Sequence, residues 1–299
     1  MESNGICNRQ NSIKCLRLLA SQRQIYRECK LYENLIIVFS VLLPFVSAII
    51  QSLYNANNII NAITYIVTIA GMFVGVLTSK YVEKMQETAA SIQQSFDLEV
   101  FQLPWDNKLF GDDRNLNLII SEKSKKILAN SKEHDLLLNW YPNKYDSLPL
   151  NRAILFCQRT NISWDSNIRS IYKISSSLVS VILVFIILII SVINNDALLI
   201  FLSKLIFILP IMQWLLNTVN SLNKDIRRIG KFKEVLFMKP RDNKNNLLTI
   251  QSYIFEHRKN CTLIPEWFYY LTKKKQENIM QTMAEMEIEE QSIENTEMS

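Results

Sequence analysis

The segment between Arg152 and Tyr172 is dense in cationic, amide and aromatic side chains. An arginine guanidinium can bind two phosphate oxygens at once, and aromatic faces stack on nucleobases, so this composition fits a nucleotide ligand. On pattern alone a structural explanation is favoured over nucleotide binding, because basic residues flank membrane spans and Trp and Tyr gather at membrane interfaces. The candidate ligand-binding residues are Trp105, Arg152, Gln158, Arg159, Asn161, Trp164, Arg169 and Tyr172.

Residues suited to catalysis or metal binding form no pattern of their own. The two histidines, His134 and His257, lie in different segments, and no cysteine pair has the spacing of a metal or redox site. The five glycines form neither a phosphate-binding loop nor a nucleophile elbow. We therefore predict no catalytic residue, no metal and no cofactor, and a membrane-anchored enzyme is only a third alternative. Since no recognition motif or polybasic stripe is present, we expect no binding to duplex nucleic acid.

Long runs without charged residues indicate that parts of this chain lie in lipid. Residues 34–79 and 174–195 are 46 and 22 consecutive residues without a charged side chain. A helix crosses the hydrocarbon of a bilayer with about 20 residues, and backbone groups in lipid must bond within the segment. Polar residues at 54–58 and 194–196 divide the apolar regions into pairs. The sequence predicts an all-α membrane protein with two transmembrane hairpins, whose four spans lie near residues 35–53, 59–77, 174–193 and 198–216.

The basic residues predict the orientation. Of 33 Lys and Arg residues, 32 lie on one side of the predicted spans, and Lys204 is the exception. Positive charge is retained in the cytoplasm, so both termini and the central loop should be cytoplasmic. The seven acids and absence of Lys and Arg in the last 24 residues favour a disordered tail or a frayed helix. The predicted non-membrane parts are an amino-terminal helix (1–33), a sensing loop domain (80–173), carboxyl-terminal helices (217–275) and an acidic tail (276–299).

Five residues inside the predicted spans are candidates for a pore or a gate. Gly71 and Gly75 form a GxxxG motif that permits close helix approach, either between subunits or within one hairpin. Pro44 and Pro210 lie in mid-span and mark either gating hinges or static kinks. A lone ammonium is costly in lipid, so Lys204 should reach outward, pair with Asp196, or line an aqueous path.

The cytoplasmic parts should be helical. We predict helices near residues 115–132 and 150–160, and a further helix that begins at Ser163 or Asp165 and runs into the third span. After the fourth span, apolar residues follow a spacing typical of coiled coils. This stripe either joins subunits into a homo-oligomer or packs on the chain's own helices. Its members are Leu215, Val219, Leu222, Ile226 and Ile229.

Four short stretches carry a resemblance to a known family. They are Leu19–Tyr26 before the first span, Phe96 to Trp105 after the second, Cys157–Asp165 before the third, and Ile264–Trp267 near the end. In their order and placement the chain resembles the SMODS-associated four-transmembrane effectors of bacterial antiphage signalling. The resemblance covers nearly the whole chain except the acidic tail.

The resemblance implies a function. A partner nucleotidyltransferase makes a cyclic oligonucleotide during infection, and the effector binds it and compromises the bacterial inner membrane, so that the infected cell stops growing or dies. Cyclic oligonucleotide and lipid bilayer are the implied partners. The ligand-contacting residues are not carried over from the family. The alternative function is a constitutive channel or a membrane scaffold without a nucleotide ligand.

Overall fold

The computed structural model describes residues 3–53, 58–71, 73–112, 115–238 and 242–297. Within these ranges the chain is helical and has no β-strand, which confirms the predicted all-α class. The helices are α1 (Ile6–Gln10), α2 (Ile13–Ile37), α3 (Leu43–Leu53), α4 (Asn58–Gly71), α5 (Val74–Phe101), α6 (Asn107–Phe110), α7 (Asn117–Leu128), α8 (Ser131–Asp135), α9 (Leu150–Ile193), α10 (Leu198–Met238), α11 (Lys244–Asn260) and α12 (Glu266–Glu297). A π-helical turn, Val38–Leu42, joins α2 to α3, and a 3-10 turn, Asn143–Ser147, precedes α9.

Three helical segments are long and apolar enough to cross a membrane: Ile13–Leu53, Leu150–Ile193 and Leu198–Glu234. Large apolar side chains such as Phe185 and Leu199 project outward, with 59% and 80% of their surface exposed. Exposed apolar surface on this scale fits lipid as the surrounding solvent. The chain is therefore a multi-pass membrane protein.

The second predicted span, 59–77, has a different form in the structure. α4 is apolar but has only 14 residues and ends at Gly71, and α5 begins at Val74. The intervening Met72 lies outside the described residues. Among the described residues three segments are long apolar helices, which supports a multi-pass protein, and the count of four spans stays a prediction.

The four apolar segments surround one core, and we call this assembly the apolar bundle: residues 35–53, 58–71, 174–193 and 198–216. Its buried centre comes from three helices, and Tyr65 of α4 packs against it. Burial of each such side chain stabilises the assembly, although in lipid the gain is mostly van der Waals contact. The buried members are Ala48, Ile187, Phe207, Ile208 and Ile211.

The remaining helical parts form a second core, and we call this unit the charged domain. It contains α1, α5 to α8, α11, α12, the first part of α2, and the parts of α9 and α10 outside the apolar bundle. Side-chain caps begin two of its helices: Ser12 accepts from Cys15 N at the start of α2, and Asn243 accepts from Asn246 N at the start of α11. α2 packs on α5 and α7, and α11 packs on α5 and α9. Its most buried large side chains include Leu19, Ile92, Phe96, Tyr141 and Phe156.

Two predicted helix boundaries differ in the structure. The separate helices at 150–160 and from Ser163 or Asp165 are wrong, because α9 is continuous over 44 residues. The predicted helix at 115–132 is divided between α7 and α8, since Asn130 caps a new helix by accepting from Glu133 N. The acidic segment is helical, which fits the helix alternative for this tail: α12 extends to Glu297 and buries Ala284 in the core of the charged domain.

The two prolines occupy different surroundings. Pro44 is buried in the first turn of α3, directly after the π-helical turn. A proline lacks an N–H and its ring crowds the carbonyl four residues earlier, so the widened π turn accommodates this defect. Pro210 lies inside α10, which continues through it. A hinge role for either residue stays a prediction.

The apolar stripe on α10 faces the protein's own interior. Leu215, Leu222 and Ile229 are 7%, 0% and 2% exposed. Leu222 packs with residues of α9 and α12, and Ile229 belongs to the core of the charged domain. These contacts support packing within the subunit, and oligomerisation through this stripe stays a prediction.

Gly71 provides a test of the helix packing within the bundle. A Cβ atom built on Gly71 would lie 3.1 Å from the Phe39 carbonyl oxygen, whereas one on Gly230 would meet nothing within 4 Å. Replacing a helical glycine by alanine stabilises a helix by about 0.5–1 kcal/mol when there is room. We expect Gly230→Ala to raise the thermal unfolding midpoint in detergent and Gly71→Ala to lower it. The overpacking in Gly71→Ala should reduce the free energy of unfolding by about 1–3 kcal/mol. Equal stabilisation by both variants would contradict the close α4 contact.

Candidate functional site

α9 carries all but one of the candidate ligand-binding residues. It begins after Pro149, which has the φ of −53° typical of proline and offers no N–H to be capped. From Leu150 to Ile193 the sequence contains neither glycine nor proline, so nothing interrupts the helix between the charged domain and the apolar bundle. In the structure, however, the candidate residues lie in four different places and do not line one pocket.

Arg169 lies at a joint between the charged domain and the apolar bundle. Its Nε donates to Asp165 Oδ2 at 2.6 Å, and its Nη1 donates to Asp225 Oδ2 at 3.0 Å and to the Thr262 carbonyl at 2.7 Å. His257 Nε2 contacts the same Asp165 oxygen at 2.6 Å. These bonds tie α9 to α10, to α11 and to the α11–α12 connection. We call these five residues the arginine joint.

The arginine joint is buried and electrically coupled. Arg169 is 2% exposed, and the side chain of Asp225 is 5% exposed. Burial alone would raise the pKa of Asp165, but the positive charge of Arg169 and the hydrogen bonds from Arg169 and His257 outweigh it and hold that pKa well below its usual range. The guanidinium already has two carboxylate partners, so this geometry suits transmission between helices better than capture of an anion.

Gln158 and Asn161 belong to a buried polar network in the charged domain. Gln158 Nε2 donates to the Leu247 carbonyl at 2.9 Å and to Gln251 Oε1 at 3.0 Å, and Asn161 Nδ2 donates to Tyr141 Oη at 3.1 Å. Both chains of bonds lead to Asp97, which was not among the candidates. The two amides therefore hold helices together.

Asp97 is the centre of this network and is 0% exposed. It accepts from Tyr141 Oη at 2.6 Å, from Gln251 Nε2 at 2.8 Å and from Arg258 Nη1 at 2.6 Å. Burial, and secondarily the charge of Asp97, raise the pKa of Tyr141 well above its ordinary value. The only sequence signal for this role was the place of Asp97 in one of the stretches that carry the family resemblance.

Arg152 and Arg159 flank a single aromatic ring. Their guanidinium carbons lie 5.2 and 5.6 Å from the centroid of the Phe156 ring, and the Tyr145 ring lies 5.6 Å from Phe156 between centroids. Such distances are those of cation–π contacts. The spacing of seven residues places both arginines on one face of α9, which we call the arginine face. Lys144, next to Tyr145, pairs with Glu285 of α12, so the acidic helix runs close to this face.

The three aromatic candidates lie apart from the arginine face. Tyr172 meets Phe268 edge to face at 4.9 Å, and Trp164 packs against the same cluster near the arginine joint. Trp105 donates to the Gly111 carbonyl and contacts Phe110, lining a cavity of about 120 Å³ beside α11. Small-molecule sites usually enclose about 300–1,000 Å³, so this cavity is too small for a cyclic oligonucleotide.

The pore candidates have one clear contact. Lys204 Nζ and Asp196 Oδ2 form an ion pair in which both side chains are at most 2% exposed, and Ser191 Oγ donates to the same oxygen. This is the pairing alternative for Lys204. Gly71 packs on Phe39 of the same chain, which is the hairpin alternative, and Gly75 falls in the first turn of α5. Among the described residues no group of three or more His, Cys, Asp or Glu could hold a metal ion.

A bundle of apolar helices that continue into a large polar domain defines a polytopic membrane protein with a soluble extension. The chain belongs to the SMODS-associating 4TM effector domain family, whose model matches residues 4–286. It is also similar to a probable CBASS effector molecule of Bacillus cereus (strain VD146), with 25% identity over 287 residues that cover 91% of this chain and 94% of the relative. No solved structure matches. The family model confirms the resemblance seen in the sequence and extends into the acidic segment.

The low pKa of Asp165 predicts how stability depends on pH. An aspartate has a pKa of about 3.9 in the unfolded chain, which is above the pKa of Asp165 in the folded protein. The contribution of Asp165 to the free energy of unfolding is therefore complete above about pH 5 and is lost as pH falls through the folded pKa. We expect the thermal midpoint of the detergent-solubilised protein to fall between pH 5 and pH 3. Asp165→Asn should be less stable than wild type at pH 7 by about 1.5–3 kcal/mol, and it should lose less stability than wild type below pH 5.

A matched control separates this effect from general acid denaturation. The side chain of Asp135 is 74% exposed, so Asp135→Asn should leave both the midpoint and its pH dependence close to wild type. If Asp165→Asn showed the same acid sensitivity as wild type, the arginine joint would not hold an ionised Asp165.

Proposed function

We propose that this chain is an antiphage effector that binds a cyclic oligonucleotide on its cytoplasmic side and, as a homo-oligomer, disrupts the bacterial inner membrane. A partner nucleotidyltransferase supplies the ligand, and loss of the membrane barrier ends the infected cell before phage mature. Both termini and the charged domain lie in the cytoplasm. Family membership supports the defence role, and the charge distribution supports the orientation.

The continuity of α9 is the observation that carries this proposal. The same helix bears the arginine face in the charged domain and Ile187 in the core of the apolar bundle. A force on Arg152 and Arg159 therefore acts on a rigid rod that ends in the membrane. The arginine joint couples this rod to α10, another long helix that enters the bundle.

The arginine face is the proposed docking point for ligand phosphates. Arg152 and Arg159 contribute two forked donors on either side of Phe156, and phosphate oxygens accept such pairs of hydrogen bonds. Trp164 or Trp105 is the proposed stacking surface for a base, although both lie apart from the arginine face. Arg169 is proposed to transmit the effect of ligand binding from α9 to α10.

Differential affinity sets the strength of the switch. A ligand moves the closed–open balance only by its preference for the open state. A 100-fold preference at one site corresponds to about 2.7 kcal/mol, and several sites in an oligomer would multiply this effect.

Leakage from liposomes tests the function. We expect purified protein reconstituted into dye-loaded liposomes to leak only when a cyclic dinucleotide or trinucleotide from a panel of adenine and guanine species is added on the side of the charged domain. Leakage without any nucleotide would favour a constitutive channel. A preparation that stays sealed with every member of the panel would favour a scaffold and would contradict the proposal.

Arginine substitutions test the site. Hydrogen bonds to charged groups contribute about 1.5–3 kcal/mol each, so Arg152→Ala and Arg159→Ala should each raise the half-maximal nucleotide concentration by about 10-fold to 100-fold. Arg17→Ala, at an exposed arginine on α2, is the control and should leave the response unchanged. Wild-type responses in both arginine-face variants, with normal thermal midpoints, would move the ligand site elsewhere.

A further inference from the structure

Buried polar side chains cluster at the outer end of the apolar bundle, which is the end away from the charged domain. Gln51 is 2% exposed and its Nε2 contacts Tyr65 Oη and, at 3.1 Å, Ser203 Oγ. The pair of Lys204 and Asp196 lies at the same level, beside Ser203 in sequence.

A second polar set lies toward the charged domain. Thr68 of α4 and Ser180 of α9 are both 0% exposed, so they face the interior of the bundle instead of lipid. Ser180 precedes Ser191 by 11 residues, which corresponds to about 16 Å along the helix axis. The two polar sets are therefore at different depths.

Several oxygens in both sets have no hydrogen-bond partner among the described residues. Unpartnered polar atoms are costly in lipid and mark hydrated paths or functional sites. A buried polar atom that lacks a protein partner is usually hydrated where space permits. The atoms are Gln51 Oε1, Asn61 Oδ1 and Asp196 Oδ1 in the outer set, and Thr68 Oγ1 and Ser180 Oγ in the inner set.

An apolar plug separates the two sets. Phe207 and Ile211 of α10 are both 0% exposed, and Ala48 and Ile187 are each 1% exposed. The Phe207 ring stacks on Tyr65 at 5.3 Å between centroids, so residues of α4 and α10 meet at this level. A hydrophobic constriction between wetted segments closes a conduit by excluding water.

We infer that the conduit for ions runs inside the four-segment bundle of each protomer and that Phe207 and Ile211 form its gate. This inference rests on the proposed disruption of the membrane and specifies its route. The conduit takes small monovalent cations, because the unpartnered outer atoms are carbonyl and carboxylate oxygens that accept from hydration water or contact a cation directly. Lys204 does not oppose cation entry, since Asp196 neutralises it.

The gate and the arginine joint share the same two helices. Ile187 of the plug lies on α9 together with Arg169, and Phe207 lies on α10 together with Asp225. A change in the pairing of Arg169 with Asp225 would shift α9 against α10 and thereby change the plug. Opening requires no rearrangement between subunits, although an oligomer would sharpen the response.

Gate substitutions in potassium-loaded liposomes test the inference. We expect Phe207→Asn to raise potassium efflux at least 10-fold without any nucleotide, because a polar side chain lets water enter the constriction. Phe185→Asn is the matched control: Phe185 is 59% exposed on the lipid-facing side of α9 and should leave efflux at the wild-type level. Ile211→Ser should act like Phe207→Asn, and chloride efflux should stay low in all variants.

Folding of each variant is checked by its elution as a single species in detergent. Equal potassium efflux from Phe207→Asn, Ile211→Ser and Phe185→Asn, all well folded, would overturn the gate. Equal chloride and potassium efflux would overturn cation selectivity. Thr68→Cys tests the internal route with an impermeant thiol reagent. Faster labelling of this cysteine when nucleotide is present would support the route. An unchanged labelling rate in a leaking preparation would overturn it.

The same experiment distinguishes this inference from the proposed function. If nucleotides open wild-type protein but gate variants do not leak, the conduit lies elsewhere and the proposed function stands. If gate variants conduct potassium but no cyclic dinucleotide or trinucleotide opens wild-type protein, the conduit stands and the proposed ligand is wrong.

Discussion

α9 is one continuous helix that lies partly in water and partly in lipid, and the rest of the structure depends on this constraint. Its first half packs inside the charged domain, where only Asn151 is exposed, and its last 20 residues expose Phe185, Ile189 and similar side chains to lipid. A backbone that bonds entirely within itself tolerates both surroundings, which a loop at the boundary would not. The charges near the boundary are consequently paired, as Arg169 is with Asp165 and Asp225.

Much of this arrangement was predictable because lipid imposes a simple rule on sequence. Uncharged runs identified the apolar helices, and the distance of eight residues between Asp196 and Lys204 suggested their ion pair. The predicted break in α9 failed for a specific reason: Ser163 and Asp165 look like helix caps, but Asp165 instead binds Arg169 and His257. A local pattern cannot show which of two partners a carboxylate will take.

The candidate site was less predictable, because its geometry depends on contacts far apart in sequence. Asp97 binds Arg258 and Gln251, which are 161 and 154 residues away, and no local signal indicates this network. Gln158 and Asn161 bond within this network, and a part for them in nucleotide binding stays a prediction. Arg152 and Arg159 lie near the same Phe156 ring, since seven residues bring two side chains to one helix face. Their role in ligand binding stays a prediction.

The central claim is that lipid separates the charged domain from the short turn between α9 and α10. Cysteine labelling with a membrane-impermeant maleimide in bacterial cells tests this claim directly. The side chain of Lys14 is 67% exposed in the charged domain, and Ala197 is exposed in the turn. The account predicts that Ala197→Cys reacts in intact spheroplasts, whereas Lys14→Cys reacts only after the membrane is opened. Reaction of Lys14→Cys in sealed spheroplasts would contradict it.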